Sequence, residues 1–383
     1  MPKDNRFGHQ TYTRRGNTVF SIIEHPLTSK AVVEESAQHQ RYAVGRRLRE
    51  VGVRSVYLIH GTFVGSDPLG WIRTLSRVWP QARQVLSELQ TRGLDSFAKY
   101  AGNYTQEYAE QLSAAINSES NPEIPVKLFQ WTGENNHIAR AEAAVRLVAE
   151  LHQSHASDRG RVLLWGHSHG GNVLALLTNL LGCDVDSRDA FFHAVRSLWP
   201  GPTSAGSDSS IWNEVWNIFQ SKNPPLENVE CDIASFGVPV RYGWECHGFS
   251  QLLHFVNHRA LNKDDDLAVP LPSSSEEIHS SLHGDFVQAF GIAGTNLAPG
   301  LLDWRTHIAD WRLHRFLQAK VRSRDVLANL KSGTRLHEDG ETLLVDYGTL
   351  NAAMPIFDAH AVYTREQWLT FHLHEVVERF YGL

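Results

Sequence analysis

The segment Gly166-His167-Ser168-His169-Gly170 has the residue types and spacing that point most directly to chemistry. A serine hydroxyl is a weak nucleophile until it is held on a tight turn, beside a base and at the positive end of a helix. Gly-x-Ser-x-Gly supplies such a turn where a strand leads into it and a helix leaves it. Here the run Arg161-Val162-Leu163-Leu164-Trp165 leads in, and Gly171-Asn172 opens an apolar helical run from Val173 to Leu181. A serine attacking a carbonyl also needs donors for the oxyanion it creates. His60-Gly61-Thr62-Phe63 ends another apolar run, about a hundred residues before the serine. The backbone N–H of Thr62 is one expected donor, and that of His169, next after the nucleophile, is the other.

These groups need a frame. Apolar runs bounded by turn residues occur at Ser55–Ile59, Val126–Trp131, Arg161–Trp165, Asp232–Phe236, Leu252–Val256 and Thr342–Asp346. Between the second and third, Ala141, Ala144, Val145, Val148 and Leu151 recur at helical spacing, so a crossover helix from Ile138 to His152 is predicted, with parallel strands on either side. Alternation of strands and helices predicts an α/β fold with a mostly parallel central sheet. Asp339-Gly340 reads as a hairpin turn and predicts a short antiparallel strand around Thr334 to His337. No repeat or linker divides residues 1–383, which are expected to form one domain. Two longer excursions, about 184–228 and 271–331, are candidate lid or cap elements or, equally, segments that pack against a sheet edge. The first carries a Trp-rich helical stretch from Ile211 to Phe219, and the second a predicted helix from Leu302 to Val321.

Composition narrows the partners. The chain has 36 Lys+Arg against 42 Asp+Glu, a formal net charge of −6, which gives no grounds for a nucleic-acid or anionic-membrane partner. Cys183, Cys231 and Cys246 are an odd number without the paired spacing of a zinc site or a disulfide framework, and no metal is expected. The first residues carry no signal-peptide pattern and no apolar run is long enough to span a bilayer, so a soluble, cytoplasmic protein is the expectation.

The order of a strand ending in His-Gly, a strand ending in Gly-x-Ser-x-Gly and a following helix resembles the α/β-hydrolase superfamily, within it the lipase/esterase branch, from about Ser55 to the end of the chain. The resemblance implies the α/β-hydrolase fold and acyl-ester hydrolysis by a Ser-His-Asp triad without a cofactor, with Ser168 as nucleophile and Thr62 and His169 as backbone donors. Phe236-Gly237-Val238-Pro239 is similar to the small-Gly-Thr-Pro turn of lipases, with Val238 in place of the usual Thr. The family's chain order implies an acid after the penultimate strand. Asp264, Asp265 and Asp266 compete there, and Asp266 is favoured because Asp266-Leu267-Ala268-Val269-Pro270 resembles the lipase pattern. Three consecutive aspartates lack the alternating spacing of a calcium loop. The same order implies a last histidine, and His360 is the one in the loop after the final strand. His372 and His374 fall inside the closing helix and are expected to face solvent or the sheet edge.

Trp71 and Trp131 are candidate substrate-binding residues at the end of the sheet where ligands bind, with core packing as the alternative for tryptophan. Asn135 and Asn136 follow Trp131 and equally fit a helix cap. His283-Gly284-Asp285-Phe286 reads as a specific turn with no chemical role. His279 and His283 lack the glutamate of a zinc-protease helix, and Arg46-Arg47-Leu48-Arg49 reads as a solvated helical face. The expected activity is hydrolysis of a small-molecule or lipid acyl ester. A thioesterase, phospholipase or acyltransferase on the same triad, or a non-catalytic binding protein with this fold, are the alternatives.

Overall fold

The structure, a computed structural model, describes residues 19–24, 43–62, 103–117, 122–155, 159–199, 210–221, 226–239, 241–259, 284–292, 304–317, 336–348 and 355–383, together with Phe7 and Pro26. Its centre is a sheet of seven strands: β1 (Val19–Ile23), β2 (Val53–Ile59), β3 (Val126–Phe129), β4 (Gly160–His167), β5 (Val229–Phe236), β6 (Gln251–Asn257) and β7 (Glu341–Val345). Their spatial order is β1-β7-β6-β5-β4-β2-β3, and every neighbouring pair is parallel. The near-continuous apolar runs of β2, β4, β5 and β6 follow from this, because a parallel sheet is covered on both faces. Strand β1 was not expected from the sequence; it lies at the sheet edge, where Val19 and Ile22 stay exposed.

The helices divide between the two faces. On one, α1 (Gln106–Ile116) contributes Tyr108, Leu112 and Ile116 to a cluster with Leu58, Trp165, Phe236 and Phe255. On the other, α2 (His137–His155) is the predicted crossover and buries Ala141, Ala144, Val145, Val148 and Leu151. Beside it lies α3 (His169–Gly182), then α4 (Val185–Ala194) and α5 (Ile211–Gln220). Three described helices of the two excursions, α4, α5 and α7 (Trp304–Leu317), add Phe191, Phe192, Trp212 and Phe316 to the same core as α2. Further helices are α6 (Phe286–Ile292), α8 (Pro355–Ala361) and α9 (Leu369–Tyr381), and residues 43–50 are helical as well.

Three sequence expectations are corrected. Leu336 and His337 form no strand; His337 instead stacks on His254 at a centroid distance of 3.6 Å. His372 faces neither solvent nor the sheet edge: it is fully buried among Phe236, Phe255 and Tyr347 and bonded to the Tyr347 hydroxyl at 2.7 Å. Helical periodicity had placed it correctly on the helix, but an imidazole that keeps one neutral partner packs like an aromatic ring. The basic run 46–49 is not simply solvated either, since Arg47 donates to the Tyr381 carbonyl and Arg49 to the carbonyls of Ile116 and Pro122. Among the described residues no helix is long and apolar enough to cross a membrane.

Candidate active site at the carboxyl ends of the strands

From β4 the chain order runs outward to β5, β6 and β7 on one side and to β2 and β3 on the other. Connections leaving β2 and β4 therefore diverge, and the crevice above their carboxyl ends is where open α/β sheets bind ligands. Ser168 stands in that crevice, between β4 and the first residue of α3. Its backbone has φ 52° and ψ −129°, a region that L-residues populate sparsely. The turn is fixed from both sides: the Ser168 N–H donates to the Phe236 carbonyl at 2.9 Å, and Gly171 N–H donates to the Ser168 carbonyl at 3.0 Å.

The flanking glycines permit the close approach that sets this geometry. A Cβ on Gly170 would lie 2.3 Å from the Ile59 carbonyl oxygen and 2.5 Å from that of His60. A Cβ on Gly61 would lie 2.7 Å from the Ser168 Cβ. The end of β2 thus passes directly against Ser168, and Thr62 and His169 are both buried.

The end of β2 is itself held by Trp131. The indole N–H donates to the His60 carbonyl at 2.9 Å, and the ring stacks on the His60 imidazole. The backbone N–H of Trp131 reaches His60 Nε2, leaving His60 Nδ1 to donate to the Gly61 carbonyl at 2.8 Å. Burial lowers the pKa of His60, consistent with a neutral ring in that arrangement. Trp131 therefore props the turn beside the serine, and it belongs to the hydrophobic core. Trp71 lies outside the described residues.

His360 is carried by α8. Its carbonyl accepts from His167 Nε2 at 2.9 Å and its ring lies 4.7 Å from that of His167, the residue before Ser168. His360 Nδ1 is 2.7 Å from Oδ2 of Asp285. A carboxylate only accepts, so Nδ1 carries the proton and Nε2 is left as the basic nitrogen. Asp285 is fully buried and also accepts from the Tyr363 hydroxyl at 3.1 Å and from the Gln288 N–H at 2.9 Å. Such saturation is what a buried carboxylate requires.

Sequence reading missed Asp285. The favoured acid Asp266, with Asp264 and Asp265, lies outside the described residues, whereas Asp285 is the carboxylate bonded to His360. The turn that precedes it is tied to β6: Gly284 bridges His258, and Asp285 N–H donates to the Asn257 carbonyl at 3.0 Å. Asn257 fixes the other partner as well, donating through Nδ2 to the Ala359 carbonyl and through its backbone N–H to the Tyr363 hydroxyl. The available signal was a lone aspartate opening the apolar run Phe286-Val287, the pattern of a residue that starts a helix while buried.

Behind His169 lies a second buried polar group. Asn172 Nδ2 contacts His169 Nδ1 at 3.1 Å and the Pro239 carbonyl at 2.9 Å, so the helix start is tied to the turn carrying Val238. Arg140 and Arg241 are both buried here; burial, and then the neighbouring Arg140, pushes the Arg241 guanidinium down to about 10. Burial first, then these two cations, holds His137 and His169 well below the ordinary histidine range. Neutral His137 is bonded to the Tyr242 hydroxyl at 2.8 Å, which also receives Arg140 Nε. Asp310 of α7 accepts the first N–H groups of α2, His137 and Ile138, at 2.7 and 3.1 Å. Asn136 caps the same helix through the Ala139 N–H, the role that its position after Trp131 equally suggested.

No protein-family model, no curated protein and no solved structure matches this chain. Its class rests on the fold, an α/β protein with an all-parallel sheet among the described residues and flanking helices.

Proposed function

We propose that the chain is a serine hydrolase of carboxylic esters, with the α/β-hydrolase arrangement and with Asp285 in the role that the sequence had given to Asp266. Ser168 Oγ attacks the ester carbonyl while His360 Nε2 takes its proton. The tetrahedral oxyanion is held by the N–H groups of Thr62 and His169. It collapses as the ester C–O bond breaks, and the proton passes from His360 to the departing alcohol. Water then attacks the acyl-serine, giving its proton to His360, and the acid leaves as that proton returns to Ser168.

The observation that carries this reading is the 2.7 Å contact of Asp285 with His360 Nδ1 beside a serine at positive φ. Asp285 fixes the tautomer in which Nε2 is basic and stabilises the imidazolium formed during attack. The backbone at Ser168 supports it further, because strain at a turn that presents a hydroxyl is typical of functional sites.

The test is intact-mass analysis after exposure to a fluorophosphonate, which phosphonylates only activated serines. One adduct on the wild-type chain and none on Ser168→Ala is expected, with ester turnover lost in the variant. A folded wild-type chain that takes no adduct, or a Ser168→Ala variant with undiminished turnover, overturns the reading. Parallel assays with acyl thioesters and with acyl acceptors other than water separate ester hydrolysis from the related chemistries.

A further inference from the structure

The opposite end of helix α3 carries a different cluster. Glu245, Cys246 and His247 are consecutive, and one donor atom of each lies within 4.8 Å of the others. The Cys246 sulfur is 3.6 Å from Glu245 Oε1 and 3.6 Å from His247 Nδ1, and the latter two atoms are 2.8 Å apart. A tetrahedral zinc with its usual bond lengths sets sulfur–nitrogen and sulfur–oxygen edges of about 3.5 Å and a nitrogen–oxygen edge of about 3.4 Å. Both sulfur edges already have that length. Only the nitrogen–oxygen edge is short, because a hydrogen bond spans it.

The surroundings favour a cation. Residues Cys246–Gly248 form a 3-10 turn packed on the carboxyl end of α3, where a Cβ on Gly182 would lie 2.6 Å from the Glu245 side chain. A helix carboxyl end carries partial negative charge. The Glu245 N–H donates to Thr178 Oγ1 at 3.2 Å, so the turn is fixed to the helix before any ligand arrives. Asp339 accepts from the Trp244 N–H, next to this turn. His247 also lines a cleft of about 240 Å³ that includes Glu227 and Glu230.

We propose that Glu245, Cys246 and His247 form a binding site for a divalent cation of the zinc class, with three protein donors and an open fourth position. Thiolate and imidazole select a borderline-soft metal over magnesium or calcium. A spacing rule built on cysteine pairs overlooks such a site, since its donors are one cysteine and its two neighbours. Its location, about 20 Å from Ser168 along the 14 residues of α3, separates it from the proposed ester chemistry.

Cobalt(II) tests the site in the full-length chain, because it takes zinc geometry and reports its ligands optically. One equivalent is expected to produce a thiolate-to-cobalt charge-transfer band and tetrahedral visible bands, both abolished by one equivalent of zinc. Cys246→Ser is expected to remove the charge-transfer band. His247→Ala is expected to weaken zinc binding more than about tenfold, and Cys183→Ser to leave it unchanged. Cys246 is exposed and His247 is 79% exposed, so these variants should keep the metal-free unfolding midpoint, which is measured alongside. Absence of the band in wild type, its survival in Cys246→Ser, or equal zinc affinity in His247→Ala overturns the proposal.

Discussion

Asp285 and His360 are 75 residues apart in sequence and meet at 2.7 Å through the work of Asn257, whose carbonyl receives the Asp285 N–H while its side chain holds the carbonyl before His360. The last residue of β6 thus sets the pair from both directions. Because Tyr363 and the Gln288 N–H also bond to it, the carboxylate is held in one orientation, and so is the imidazole bonded to it.

Asp285→Asn is therefore expected to lower kcat on acyl esters by about 10³–10⁴-fold, since the amide permits the wrong histidine tautomer while leaving the packing intact. Asp266→Asn is expected to retain nearly full activity. Steady-state kinetics of the two variants side by side decide between the carboxylates, and the reverse ranking would return the role to Asp266.

The frame of this site was legible because burial on both faces of a parallel sheet writes itself as apolar runs, and all six expected strands are present. The strand-turn-helix at Ser168 was legible from its glycines, and the position of His360 after the last strand from the chain order. Asp285 was not, because nothing local distinguishes a buried helix-starting aspartate from a turn residue until the tertiary partner is known. Position after the penultimate strand and a borrowed spacing favour Asp266, and neither reports burial. Strand β1 escaped for a similar reason: its residues are exposed or half-buried at a sheet edge, so they carry little of the central-strand signature.

Backbone strain at Ser168 gives a stability prediction. Ser168 sits at φ 52°, a conformation that costs a non-glycine residue about 1–3 kcal/mol. Ser168→Gly is expected to unfold at higher urea than Ser168→Ala, although both lack the nucleophile, because only glycine relieves the backbone. Equal midpoints in the two variants would mean that the turn is unstrained.

Close packing at the elbow gives another. In Gly170→Ala the new methyl group meets the carbonyl oxygens of Ile59 and His60, which belong to backbone that cannot rotate away. We expect a loss of about 3 kcal/mol in urea unfolding, together with reduced turnover as α3 is pushed from β2 and His169 N–H moves with it. A variant with wild-type stability would show that the helix start has slack which the observed approach does not suggest.

The buried histidines make stability depend on pH with a definite sign. Burial lowers the pKa of His372 to about 3, as it does for His337. In the unfolded chain a histidine titrates near about 6.5. Between these values the unfolded state holds a proton that the native state does not, so stability rises with pH. The contribution is complete above about pH 6.5 and is lost progressively as the pH falls toward 3, by about 1.4 kcal/mol per pH unit for each such histidine. His372→Leu removes one of these protons, and it also deprives the buried Tyr347 hydroxyl of its 2.7 Å partner. The variant should thus be less stable at neutral pH by about 1–3 kcal/mol, yet lose stability less steeply on acidification. Urea unfolding of both chains at about pH 7, 6 and 5 measures the difference in slope, in which the carboxylates common to both cancel. Parallel slopes would show that His372 takes up its proton within the fold.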